Sequence, residues 1–236
     1  MVEQTILAET AGGATGRRII SVAKHLVIFS RKQLKHLRRD AKNALLFGWH
    51  APRAAERIFI APSAVVTYAQ RSPSRSDTGR VLSGNWDLQV KPLDEHPKVR
   101  YCINRFVRGQ SWEEAGAIEH AKKLLDKRGS ADGRRSWAEI SRRLEEIDKL
   151  YSELKETRRL KTSAEFLNQA SSREDSGVYI HIDRFGRPIF GGKGCHRFAI
   201  CKILDIPVIP AQLGLVHEQA ASSKKALRKL RHDTRE

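Results

Sequence analysis

Cysteine is scarce in this chain. Cys102, Cys195 and Cys201 are the only three among 236 residues, and no two of them are spaced C-x-x-C. A sparse, odd set argues against a disulfide framework and for a reducing compartment. Without C-x-x-C there is no zinc-ligand spacing either, so no zinc site is expected. Long apolar runs are also missing. The longest, 44–47 and the interrupted 208–213, are too short to span a bilayer. Residues 1–18 lack the basic-then-apolar order of a secretory signal and any evident lipidation site. A cytoplasmic location is the expectation. Internal repeats are lacking as well.

Acidic residues are in deficit. There are 27 Asp and Glu against 44 Lys and Arg, a formal charge of +17, and the isoelectric point lies near 10.2. Such a chain favours polyanionic partners: nucleic acid, ribosomes, anionic membrane or phosphorylated metabolites. The plainer alternative is solvated surface charge that binds nucleic acid weakly through counterion release. Hydrophobic residues make up 40%, enough for a core in a soluble globular protein.

The pattern along the chain divides it. Residues 1–18, rich in Gly, Ala and Thr, form an arm. Residues 19–50 read as a basic amphipathic helical region. Ile20, Ala23, Leu26, Val27, Leu34, Leu37, Ala41 and Leu45 form its apolar stripe, backed by Lys35, Arg38, Arg39 and Lys42. Residues 51–217 form the main domain, opened by a β-rich run at Arg57–Ala61 that Pro62 stops. Residues 71–80 are a polar Ser/Arg loop, whose composition is that of a disordered, phosphorylatable turn. A helical insertion spans about 97–170. Ser136 and Glu139 make a capping box that opens a helix running to about Arg159. Residues 218–236 are a basic, loosely held tail.

After Ser171 the character changes. Residues 178–183 alternate like a strand, with His181 as the solvent-facing member, and Pro188–Phe190 is a second short strand. Gly191, Gly192, Lys193 and Gly194 form a loop, Cys195–Leu204 a helix and Val208–Val216 a final strand. Glycines at a strand-to-helix junction permit positive φ and close approach of the backbone. The first amides of a helix lack internal partners and carry the positive end of its dipole, which favours anions. Lys193, His196 and Arg197 bring cationic or hydrogen-bonding side chains to the same end. The candidate phosphate-binding residues are therefore Gly192, Lys193, Gly194, Cys195, His196 and Arg197. A glycine hairpin followed by an ordinary amphipathic helix is the competing reading.

Gly194-Cys195-His196-Arg197 resembles the core motif of sulfiredoxins. The wider frame is similar to the ParB/sulfiredoxin-like superfamily: Asp183-x-x-Gly186, Phe190-x-x-x-Gly194-x-x-Arg197, Leu204, then Ile206 to Pro210. Gly194 and Arg197 match the ParB Gly-x-x-Arg motif. Looser likeness, to uncharacterised ParB-like proteins with a G-x-H-R motif, takes in Arg57–Pro62, Gly84–Asp87 and Gly109–Glu113. The resemblance implies an α/β (α+β) fold, a small mixed sheet with a phosphate-binding helix plus helical additions. It implies binding of ATP or CTP, with Mg²⁺, and a reaction class of hydrolysis or phosphoryl transfer. Gly194 and nearby amides would cradle phosphates while His196 and Arg197 contact them.

Two other readings stay open. One is a non-enzymatic DNA- or RNA-associated protein using the basic helix and tail. The other is a sulfiredoxin-like thiol enzyme, in which cations at a helix start would lower the Cys195 pKa. Against it, Lys193 and Gly194 stand between Phe190-Gly191-Gly192 and the cysteine, where sulfiredoxins place Phe-Gly-Gly directly before it. Asp183 and Asp87 are the candidate acids for Mg²⁺ or general-base work, with turn shaping as their plainer role.

Overall fold

The computed structural model describes residues 31–71 and 73–232. The expected arm 1–18, positions 19–30 of the expected helical region and residues 233–236 of the tail lie outside the described residues.

Seven strands form one mixed sheet: β1 (Arg57–Ile60), β2 (Thr67–Ala69), β3 (Val81–Leu82), β4 (Val90–Pro92), β5 (Val178–Ile182), β6 (Pro188–Phe190) and β7 (Ile209–His217). Their order is β1-β7-β5-β6-β2-β4, with β3 paired to β7. Central β5 and β7 run parallel, Val178 opposite Ala211 and Ile182 opposite Val216. All residues of both strands are buried, as expected of strands covered on both faces. Phe190 of β6 stacks on Phe198 beneath the sheet, ring centroids 4.5 Å apart.

The helix that crosses from β6 to β7 is α6 (Cys195–Ile203). It packs against α2 (Pro97–Phe106) and α4 (Trp137–Thr157), while α3 (Ala117–Arg128) lies against α2. The capping box at Ser136 and Glu139 opens α4 as its spacing requires. Thr162 and Glu165 do the same for the short α5 (Ser163–Leu167).

Three expectations fail in informative ways. First, the helix at 31–47, here α1, is turned around. Leu34, Leu37 and Leu45 of its apolar stripe are exposed, while His36 and Asn43 are buried. Polar groups dock it. Asn43 Nδ2 donates to the carbonyls of Pro52 (2.7 Å) and Gly79 (2.8 Å). Arg39 donates to those of Ser76 and Thr78, both at 2.7 Å. Asp40 accepts from Ala54 N and pairs with Arg173. The partner surface is loop backbone, so hydrogen bonds rather than area decide the orientation.

Second, that partner loop, 71–80, is built into the fold. A turn at Arg75–Asp77 is capped by Ser74, and Thr78 and Gly79 are buried against β7, where Gly79 N donates to Gly214 O (2.7 Å). Third, the tail is docked as α7 (Glu218–Ser222) and α8 (Lys224–Leu230). Leu227 is buried in the core, and Arg231 pairs with Glu56 at 2.5 Å and reaches the carbonyls of His50 and Ala51.

His181 is also not solvent-facing: it is fully buried. Its Nδ1 accepts from Leu215 N at 2.9 Å. Gly214 makes room for it, since a Cβ there would lie 2.2 Å from Nδ1. Burial pushes this imidazole down to about 3, with Lys193 adding to the shift.

Candidate anion site at the start of helix α6

The loop from β6 to α6 is laced onto the beginning of β5. Gly191 N donates to Tyr179 O (2.7 Å), and Tyr179 N donates to Lys193 O (3.1 Å). Gly194 then caps α6 at φ 71°. A Cβ at that position would sit 3.0 Å from Val178 Cα and 3.3 Å from Gly177 O. Glycine is thus required twice over, by the left-handed backbone and by the close approach. The first helical hydrogen bond, Phe198 N to Gly194 O (3.0 Å), leaves the amides of Cys195, His196 and Arg197 ahead of the ladder.

Two guanidiniums sit on neighbouring carbonyls of the same stretch. Arg197 donates to Ser176 O at 2.5 Å, and Arg75 donates to Gly177 O at 2.9 Å. Arg75 also bonds the Gln212 amide oxygen and lies over the Tyr179 ring, 5.6 Å from its centroid. These acceptors are neutral, so they fix the cations without cancelling their charge. Burial lowers the pKa of Arg75, and Arg197 lowers it further. Lys193 is lowered by burial and then by Arg75. Arg197 is lowered by burial, is opposed by Glu174, and feels Arg143 as a further cation. Glu174 itself is paired with Arg57 at 2.8 Å. Cations held close together in a partly dry place favour an anion between them.

Arg75 and Ser176 border a cleft of about 290 Å³ that runs under the start of α1, lined also by Arg31, Lys32, Lys35 and His36. His36 is buried, and its Nδ1 has no hydrogen-bond partner among the described residues.

The residues expected at the site divide into two groups. Gly192, Lys193, Gly194 and Arg197 form the half-exposed rim. Cys195 and His196 do not: both are buried. His196 turns into the helical layer, where its Nε2 meets the Tyr101 hydroxyl at 2.5 Å. It lines a small cavity there with His120, Asp132 and Arg143. Burial, then Lys98, pushes its pKa down to about 3, so it is a neutral packing imidazole. The Cys195 thiol donates to Gly192 O at 3.2 Å. Burial drives its pKa up to about 11 despite Lys98 and Lys193. The lowered thiol pKa expected from the flanking cations is therefore reversed: desolvation wins. Cys201 is core.

Both candidate acids shape loops. Asp183 accepts from Phe185 N (2.9 Å) and Arg187 N (2.7 Å) and pairs with Arg187. Asp87 takes Arg184 through its backbone amide and two guanidinium nitrogens. Neither carboxylate has the open face that a hydrated Mg²⁺ needs. Among the described residues no group of three His, Cys, Asp or Glu side chains comes together to hold a metal.

Arg75 escaped the sequence reading. It sits in a loop whose composition pointed to turn and phosphorylation chemistry, about a hundred residues from the motif. An Arg three positions before a Thr-Gly that packs on β7 was the only signal, and a weak one. No helix among the described residues is long and apolar enough to cross a membrane. No family model, curated protein or solved structure matches this chain.

Proposed function

We propose that this chain binds a nucleotide, ATP or CTP, by its phosphates at the start of α6, in the manner of the ParB/sulfiredoxin-like proteins its motif resembles. The observation that carries the reading is the convergence of Arg75 and Arg197 on the neutral carbonyls of Gly177 and Ser176, with Lys193 near enough that, after burial, Arg75 lowers its pKa too. The three amides at the head of α6 add oriented donors. The adjoining 290 Å³ cleft, bordered by Arg75 and Ser176, offers room for the rest of the ligand.

The reading is one of binding. Asp87 and Asp183 are held in arginine pairs, and Asp175 near the cleft is paired with Lys32 at 2.8 Å. Magnesium would therefore arrive on the nucleotide's own phosphates. No residue of this site is assigned a step of hydrolysis or phosphoryl transfer. The buried, high-pKa Cys195 speaks against the thiol-enzyme alternative. The test is a thermal-shift panel of nucleotides with and without Mg²⁺, because a ligand that binds only the folded form raises its stability. Arg75→Ala and Arg197→Ala should each abolish the shift. A full shift in both variants would remove the basis of the proposal.

A further inference from the structure

Helix α1 buries its polar side and leaves its leucines in water. Leu34, Leu37 and Leu45 are 50%, 60% and 86% exposed, and Ala41 and Ala44 between them are exposed as well. Their spacing puts all five on one stripe of the helix. Among the described residues twelve large apolar side chains are exposed; four of them, Leu46 included, lie on α1, and Trp49 follows just after it. That is a concentration rather than the single scattered residues normal for a surface. In the sequence, Ile20, Ala23, Leu26 and Val27 hold the same apolar register ahead of the stripe.

The stripe is a ridge between two clefts. One of about 550 Å³ runs along the flank that carries Arg38 and Lys42. The other, of about 670 Å³, runs along the flank that carries Ala41, Ala44 and Trp49. Leu34, Leu37 and Leu45 line neither. Arg38 and Lys42 are exposed and four apart, so they make a basic band beside the leucines. Glu218 is the one acid lining that flank. On the other, Asp40 and Glu56 are paired with Arg173 and Arg231. The crest is thus apolar, cationic along one side and edged by an indole on the other.

We infer that α1 docks this protein on an anionic lipid bilayer. The helix lies in the plane of the surface, with Leu34, Leu37 and Leu45 in the acyl boundary, Trp49 at headgroup level and Arg38 and Lys42 on acidic headgroups. A helix that lies on a membrane combines these features: leucines and an indole on one face, Lys and Arg beside it. A fluid bilayer closes around a ridge of leucines, whereas a protein partner has to carry a groove cut to it. A second copy of this chain brings the same basic band and the same charge of +17, so ridge-to-ridge packing sets like charges together. A nucleic-acid strand neutralises the cations and leaves the leucines in water. Anionic lipid satisfies both. Leu37, Leu45, Arg38 and Lys42 line no part of the nucleotide cleft, so the two sites can be tested apart.

The experiment floats the full chain with vesicles of phosphatidylcholine alone and of equal parts phosphatidylcholine and phosphatidylserine. The chain should float with the mixed vesicles only, and less as salt is raised. Leu37→Ser/Leu45→Ser should weaken binding roughly 100-fold, about tenfold for each leucine withdrawn from the acyl boundary. Arg38→Gln/Lys42→Gln should weaken it roughly 25-fold, about fivefold for each cation lost beside a charged surface, and flatten the salt dependence. Both variants should keep the parent's melting temperature and nucleotide shift. Brominated lipid should quench the tryptophan fluorescence of the parent and much less that of Trp49→Phe. Failure of the parent to float, equal flotation with both vesicles, full binding by the leucine variant, or unchanged quenching in Trp49→Phe overturns the assignment. So does a parent that sediments as a dimer and turns monomeric with Leu37→Ser/Leu45→Ser, which would give the ridge to a second copy. Binding of a labelled oligonucleotide by a parent that binds no vesicle overturns it as well.

Discussion

Replacing Tyr101 by Phe separates the two faces of the α6 start. The hydroxyl of Tyr101 and Nε2 of His196 are 2.5 Å apart, and both residues are buried. Burial holds the Tyr101 pKa well above its ordinary value and the His196 pKa down at about 3, so a neutral phenol meets a neutral imidazole. Whichever group donates, Tyr101→Phe removes the hydrogen bond and leaves Nε2 buried and unmet. The cost of stranding such a group is about 1–3 kcal/mol. For a chain of this size that lowers the melting temperature by roughly 2–12 °C. The matching change at Tyr179, whose hydroxyl reaches Ser74 O at a longer 3.2 Å, should cost less. The assay is a thermal melt of both variants beside the parent, followed by nucleotide titration below the melting range. The reasoning requires a destabilised Tyr101→Phe with nucleotide affinity intact. A variant that melts like the parent but loses nucleotide binding would show that His196 faces the ligand, and would refute the division of the motif.

Other outcomes follow from the same geometry. Gly194→Ala meets both a left-handed backbone and Val178 Cα at 3.0 Å, which should cost about 2–4 kcal/mol and be read in urea midpoints. His96, His181 and His196 have folded pKa values pushed by burial to about 4, 3 and 3. The folded state therefore binds fewer protons than the unfolded chain, and stability falls as pH drops from the unfolded value near 6.5. His181 alone contributes a loss of roughly 2 kcal/mol at pH 5, and an acid titration of the melting temperature that stays flat to pH 4 would exclude it. Cys195, at about 11, should resist alkylation at pH 8 in the folded protein, and Cys195→Ser should keep nucleotide binding; rapid labelling would contradict the buried thiol.

Part of this structure could be read directly. The strand at 178–182, the loop at 191–194, the helix from Cys195 and the capping boxes at Ser136 and Thr162 carry their signals within a few residues: alternation, glycine, and Ser or Thr three before Glu. The strands at 67–69, 81–82 and 90–92 are two or three residues long, too short for any period to show. The orientation of α1 was misread because an apolar stripe ordinarily faces inward. Here the surface it meets is loop backbone that needs donors and acceptors, supplied by Arg39, Asp40 and Asn43. Of the candidate site, the glycines, Lys193 and Arg197 could be picked out from the sequence. Arg75 was hidden because only the fold brings the 71–80 loop over Tyr179. The inward turn of His196 depends on Tyr101, which lies 95 positions away.

The most direct test of the account is isothermal titration of ATP and CTP, with and without Mg²⁺, into the parent protein, Arg75→Ala and Arg197→Ala. The account predicts one site on the parent, with heat lost in each variant while the fold, checked by its melt, is kept. Equal binding in all three proteins, or none in the parent for either nucleotide, would contradict the claim that the start of α6 holds a phosphorylated ligand.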